Sequence, residues 1–257
     1  MTAGDVTLHA FACGWLTASR SAFVAGATGR LRVPVPSFLV RHPKGTVLFD
    51  SGLHPETAAA PAARLGRLAR WFEAALGPGE DVAARLRALG VDPERVDWLV
   101  TSHLHFDHTG GHAAVPNARL VVQRAEWEAG RDAEQRARLA YDPHDFDCGH
   151  ARLLVDGEHD LFGDGRVVCL PTPGHTPGHQ SLRVRLAGGD VVLTADACYF
   201  RDTLDTLALP RFAWDRDAML ASLGRLRALR DAGARLVYGH DPADWATVPQ
   251  APAAVTC

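Results

Sequence analysis

The chain has 257 residues, 47% hydrophobic and 22% charged, which is ordinary for a soluble globular protein with room for a full core. Its formal net charge of −3 removes any electrostatic case for a nucleic-acid partner or an anionic membrane surface. The start, MTAGDVTLHAFACGWLTASR, lacks the basic-then-apolar pattern of a secretory signal, and no apolar run is long enough to span a bilayer.

Residues 11–33 carry little strand or helix signal and read as irregular, suited to a lid or a partner-contact loop. Residues 35–41 (VPSFLVR) and 46–49 (TVLF) flank the turn His42-Pro43-Lys44-Gly45 and predict a hairpin. Residues 56–76 place Leu65, Leu68, Trp71, Phe72 and Leu76 at three- and four-residue spacing, the pattern of an amphipathic helix. Asp81 then caps a helix over 82–89 that stops at Gly90. A strand over 96–101 leads into a histidine-rich run, followed by a strand at 119–123, a helix at 124–139 and a polar loop at 141–150. Strands follow at 152–155, 166–170, 181–186 and 191–195, the last two joined by the turn Ala187-Gly188-Gly189-Asp190. A helix at 216–230 and a strand at 234–238 precede a weakly specified tail. No low-complexity linker divides the chain, so a single domain over 1–257 is expected, of class α+β with two sheets and helices outside.

The run at 101–112, TSHLHFDHTGGH, carries the chemistry. His103, His105, Asp107 and His108 fall within six positions at a strand end, a density that suits a divalent metal. On an extended segment, positions 103, 105 and 107 share a side, and His108 joins them only if the chain turns. Three later strand ends add candidates: His175 in LPTPGHTPGHQSL, Asp196 in VVLTADACY and His240 in LVYGHD. Seven ligands are too many for one ion and suit two, with an aspartate able to bridge. The cysteines (13, 148, 169, 198 and 257) are odd in number, widely spaced and without a C-x-x-C pair. That argues against a disulfide framework or a cysteine zinc site and makes the cytoplasm the expected compartment.

The elements SHLHFDHTGG at 102–111, TPGHTPGHQSL at 172–182, DACY at 196–199 and GHD at 239–241, with LFDSGLHP at 48–55, resemble the metallo-β-lactamase superfamily. Within it they resemble the N-acyl-homoserine lactone lactonases. The resemblance implies an αββα sandwich of two mixed sheets, with two divalent ions between them. Zinc is expected, with cobalt, manganese or iron as alternatives. It implies that His103, His105 and His175 bind one metal, that Asp107, His108 and His240 bind the other, and that Asp196 bridges. Tyr199 would face the substrate, and Asp50 would support the ligand loop by hydrogen bonding. His179 would hold its loop, and the remaining histidines would lie at the surface or behind the ligands. Cysteine ligates in the superfamily's β-lactamases where this chain has Asp196, which argues against antibiotic hydrolysis.

The expected reaction is hydrolytic opening of an acyl-homoserine lactone, a quorum-quenching activity. A hydroxide held between the metals would attack, Tyr199 would polarise the carbonyl, and Asp107 would pass the proton to the leaving alkoxide. Phe106 is expected to touch substrate, and Trp15, Leu16, Phe23, Trp71 and Phe72 are candidates for an apolar groove. A homodimer is implied only by the resemblance. The ligand set equally fits a thioesterase of the glyoxalase II type or a phosphodiester or phosphotriester hydrolase. A flavin-linked di-iron redox scaffold is disfavoured, because those relatives carry glutamate where this chain has His105.

Overall fold

The protein is described from a computed structural model covering residues 4–257. Its first sheet contains β1 (Thr7–Ser19), β2 (Arg30–His42), β3 (Gly45–Phe49), β4 (Phe72–Ala75), β5 (Trp98–Val100), β6 (Arg119–Gln123) and β7 (Arg152–Val155). The second contains β8 (His159–Asp160), β9 (Val167–Pro171), β10 (Gln180–Leu186), β11 (Gly189–Leu193) and β12 (Arg235–Val237). The strand orders are β4-β1-β2-β3-β5-β6-β7 and β12-β11-β10-β9-β8. Both sheets are mixed: β3, β5, β6 and β7 run parallel in the first, and β11 and β12 in the second, beside antiparallel neighbours.

Alternation along the strands builds the layers. Leu8, Ala10, Val40, Val47, Phe49 and Val121 of the first sheet meet Val167, Cys169, Leu182, Val184 and Leu193 of the second in one buried core. The opposite face of the first sheet, with Leu39, Leu48, Leu99 and Leu120, packs on Val82 and Leu86 of the helix Val82–Ala88 and on Trp127. The opposite face of the second, with Val168, Leu170 and Val192, packs on Met219, Leu223 and Leu226 of the helix Arg216–Asp231. Each fully buried side chain of this size stabilises the fold by roughly 1.5–3 kcal/mol relative to exposure. The result is the expected αββα sandwich.

Three expectations about local structure fail. Residues 11–33 are mostly regular: β1 and β2 pair from Thr7 through Ser19, with the helical turn Arg20–Phe23 and a loop at 24–29 between them. A register shift between Ala12 and Trp15, and Pro34 and Pro36 within β2, break the alternation that would have betrayed these strands. The stretch 56–76 is not one helix. It is a tight turn at Pro55–Ala58, a short helix Pro61–Leu65, another turn at Gly66–Arg70 and then β4. Gly66, at φ +53, ends the helix, and pairing of β4 with Trp15–Ala18 of β1 claims the residues that follow. The helix expected at 124–139 is likewise two, Arg124–Arg131 and Ala133–Leu139, divided where Asp132 turns extended and caps the second.

The tail is also better specified than expected. Ala251 N and Val255 N donate to Ala10 O and Leu8 O along β1, both at 2.8 Å. Trp245, Val248 and Val255 join the inter-sheet core. Val255→Asp is therefore expected to lower the stability measured by urea unfolding by about 2–3 kcal/mol. An unchanged midpoint would mean that the tail does not dock.

Candidate metal centre

The strands that carry the candidate residues end on one edge of the sandwich. β3 leads into Asp50 and β5 into the histidine run, while β9, β11 and β12 lead into the loops of His175, Asp196 and His240. β3 and β5 are parallel, as are β11 and β12, and β9 shares their direction because both it and β11 are antiparallel to β10. Each loop therefore leaves its strand at the same carboxyl end, where side chains from different strands converge.

After β5 the chain runs extended to His105 and then enters a helical turn, Phe106–Thr109. Thr109 Oγ1 donates to His105 O at 3.0 Å, and the turn is pressed against the strand-end loop after β3. A Cβ on Gly110 would stand 2.3 Å from His54 N, so only glycine permits this approach. The turn begins before Asp107, and this corrects the expectation that 103, 105 and 107 share a side. Asp107 faces with His108 instead.

Two groups of ligand atoms result. His103, His105, His175 and Asp196 offer atoms within 4.8 Å of one another, and so do Asp107, His108 and His240. Asp196 faces both. Its Oδ1 lies 3.2 Å from His108 Nε2 and 3.2 Å from His240 Nε2, while its Oδ2 lies 3.3 Å from His175 Nε2 and 3.7 Å from His103 Nε2. Asp107 Oδ2 is 3.6 Å from His240 Nε2 and 3.7 Å from His108 Nε2.

The outward nitrogen of each ring shows which atom is bare. His108 Nδ1 donates to Asp50 Oδ2 at 2.8 Å, His240 Nδ1 to Pro34 O at 2.8 Å and His105 Nε2 to Leu139 O at 3.0 Å. Ser102 Oγ donates to Asp50 Oδ2 at 2.7 Å, so its lone pair receives His103 Nδ1 at 3.0 Å. His175 Nδ1 is 3.3 Å from the Tyr199 hydroxyl. Every inward nitrogen then points at carboxylates and other ring nitrogens. His108 Nε2 and Asp196 Oδ1 are buried with no hydrogen-bond partner. Imidazole nitrogens and carboxylate oxygens in this arrangement fit two borderline divalent cations.

The sequence pattern of the Metallo-beta-lactamase superfamily matches residues 30–240. The N-acyl homoserine lactonase AttM of Azorhizobium caulinodans is 39% identical over 227 residues, 86% of each chain. The N-acyl homoserine lactonase AiiA of Bacillus thuringiensis subsp. kurstaki is 31% identical over 217 residues, 82% of each. A solved N-acyl homoserine lactone hydrolase, with its product N-hexanoyl-L-homoserine at the catalytic metal centre, superposes with a TM-score of 0.87 at 26% identity, covering 97% of this chain and 98% of its own. The chain belongs to the metallo-beta-lactamase superfamily, in its N-acyl homoserine lactonase family.

Within that family's frame, burial holds His103 and His175 well below the usual histidine range, and His105 below it, so these rings are neutral and ready to donate a lone pair. Burial works the same way on His108, but Asp196, Asp107 and Asp50 outweigh it and raise that ring well above its ordinary value. Burial opposes ionisation of Asp196, yet His108 and His240 carry it well below the carboxylate range. Cation binding here releases a proton from the His108 side. Asp50 Oδ1 also accepts Ser102 N at 2.7 Å, and its backbone sits at φ 55, strain that the surrounding bonds hold in place. Cys198, two positions after Asp196, directs its thiol to Phe200 O at 3.3 Å and packs behind the site with Leu204.

Tyr199 is buried between His175 and His240, with ring centroids 5.7 and 5.4 Å away. Phe106 is half-buried and packs near Phe72 at 6.0 Å. Leu16 and Phe23 share a cluster with Tyr199, whereas Trp15 lies on the opposite face of β1, under Arg32. Trp71 is exposed and meets Phe212 edge-on at 6.4 Å. His179 holds more than its loop: its Nε2 accepts Asp196 N at 3.1 Å, which leaves Nδ1 as donor to Thr172 Oγ1 at 2.9 Å. Of the remaining histidines, His144 is exposed, but His42, His112 and His150 are buried away from the ligands. Sequence reasoning missed Glu126 and Tyr141, because a polar residue outside a motif carries no mark of what it will touch.

Asp196→Asn leaves one oxygen where two are needed, so metal analysis is expected to find at most one firmly held equivalent. Two equivalents at undiminished affinity would refute the bridging role. Burial holds His179 at about 3, against an ordinary 6.5. Between those values the unfolded chain binds a proton that the folded chain does not, so stability falls as pH drops from 6.5 toward 3, by up to about 1.4 kcal/mol per pH unit. The urea midpoint should depend less steeply on pH in His179→Gln than in the native protein, and equal slopes would show that this ring titrates normally.

Proposed function

We propose that the protein opens the lactone ring of N-acyl-homoserine lactones by hydrolysis, giving N-acyl-homoserine, and so quenches quorum signals. The relatives named for this activity cover most of the chain, and the site supports it with residues suited to each step. The proposed ligands are His103, His105 and His175 for one ion and Asp107, His108 and His240 for the other, with Asp196 between. Zinc is the proposed metal. Two divalent ions supply an activated water at neutral pH and draw charge from a carbonyl, so no serine or cysteine nucleophile is needed.

The observation that carries the reading is the Tyr199 hydroxyl. Burial, with Asp196 and Asp107 nearby, raises this phenol well above its ordinary value, so it stays protonated. With His175 Nδ1 donating to the phenol oxygen, the Tyr199 O–H, which faces Asp196, can turn to donate to the lactone carbonyl oxygen. That bond strengthens as negative charge grows on the oxygen during attack. Asp107, with Oδ2 turned to His108 and His240, has its other oxygen available to take a proton and return it to the departing alkoxide. Phe106, at the rim, is placed to cover the acyl group and exclude water. Five free thiols fit a reducing compartment such as the cytoplasm, and the chain is proposed to work as one domain, paired as a homodimer.

The test is acid release from homoserine lactones of graded acyl length, beside a thioester and a phosphotriester, on metal-analysed protein. Preference for the lactones is expected. No lactone turnover, with thioester or phosphotriester turnover present, would transfer the assignment to those hydrolases. Tyr199→Phe is expected to keep both metals and lose roughly 100-fold in kcat. Loss of metal in that variant would make Tyr199 a structural residue instead.

A further inference from the structure

We propose that Glu126 is the positioning residue for the His103–His105–His175 half of the centre, distinct from Asp50, whose direct ring contact is with His108 of the other half. The inference rests on the two ligand groups forming a two-metal centre.

Glu126 lies on the helix Arg124–Arg131 and is fully buried, yet it belongs to no motif. A buried carboxylate is costly unless several donors satisfy it. Its Oε1 accepts Leu104 N at 3.0 Å and the Tyr141 hydroxyl, and its Oε2 accepts Gly178 N at 2.9 Å. Leu104 is the residue between His103 and His105. Gly178 lies three residues after His175, in the same rigid loop. The Tyr141 ring packs on His105 with centroids 5.3 Å apart, and two residues before it Leu139 O fixes His105 Nε2. One carboxylate thus ties together the backbone of both ligand loops and the segment that orients the third ring.

None of these bonds reaches Asp107, His108 or His240. Asp50 instead holds His108 Nδ1 directly and reaches the first half only at His103, through Ser102. The same contact explains a glycine in the loop: a Cβ on Gly178 would stand 2.2 Å from Glu126 N, so any side chain would push the His175 loop off the helix. A neutral glutamine at 126 could not serve both loops. With its oxygen facing Leu104 N and Tyr141, its amide N–H₂ would face Gly178 N–H, donor against donor. Turning the amide over would move the conflict to Leu104.

The experiment is titration of metal-free protein with cobalt, followed by the visible spectrum, with the zinc-loaded protein crystallised and its sites located by anomalous scattering. The native protein should hold two ions. Glu126→Gln should weaken only the His103–His105–His175 site, by roughly 10–100-fold. Asp50→Asn should weaken the Asp107–His108–His240 site and not spare it as Glu126→Gln does, and Tyr141→Phe should shift the first site in the same direction as Glu126→Gln by less. A merely structural role would lower the melting temperature and affect both sites alike. Equal weakening of the two sites, no weakening, or loss at the Asp107–His108–His240 site in Glu126→Gln would overturn the proposal. If that variant does not fold, unchanged cobalt affinities in Tyr141→Phe would overturn it. A native protein that binds no metal would overturn the two-metal reading and this inference together, whereas two ions without lactone turnover would leave the metal centre standing and refute only the substrate.

Discussion

Lone pairs that face one another in a dry pocket repel, and the centre of this protein is built from them. Five imidazoles and two carboxylates converge with their inward atoms on one another, and His108 Nε2 and Asp196 Oδ1 find no hydrogen-bond partner among the described residues. Cations would relieve that repulsion, provided each ring is kept from rotating its N–H inward. The outer acceptors do that work: Asp50 for His108, Pro34 O for His240, Leu139 O for His105 and Ser102 for His103. They come from segments far apart in the chain, so the tautomers that make the metal chemistry possible depend on the whole sandwich being assembled.

The sandwich in turn supplies a shared edge. Strands of both sheets run toward the same end, and the ligand loops leave from there with their strands anchored in the inter-sheet core. Backbone strain collects at this edge, with Asp50 at φ 55 and Ala195 at φ 44, each at the end of a strand beside a residue the site needs. The strain is tolerated because Ser102, His108 and the backbone of β5 overdetermine the position of Asp50, and His179 holds the amide of Asp196. Tyr199 follows from the same geometry. Three residues after Asp196, it lands between His175 and His240, with its hydroxyl 3.3 Å from His175 Nδ1.

The strands with clean alternation and marked turns were legible before folding: β3, β9, β10 and β11 with its glycine hairpin, and the helix Arg216–Asp231. β1 and the first part of β2, before residue 35, were not, because Gly14 and the proline at 34 hide their period, and pairing of Thr7–Ser19 with Arg30–Arg41 overrides weak local preference. The stretch 56–76 misled in the opposite direction. Its apolar spacing is helical, but Gly66 and the open edge of β1 decide otherwise.

The metal-binding character and the family were set by residue types at short spacing: H-x-H-x-D-H, the Pro-Gly-flanked His175, and Asp196 with Tyr199 three positions on. Those features are local, and a sequence displays local features directly. How the seven ligands divide follows from the turn that starts at Phe106, and the inward nitrogens follow from acceptors as distant in sequence as Pro34 from His240. Glu126 joins Leu104 to Gly178, and neither bond has any trace in the pattern around it. Directional hydrogen bonds between distant segments exist only once the chain is packed, so the tertiary structure alone decided them.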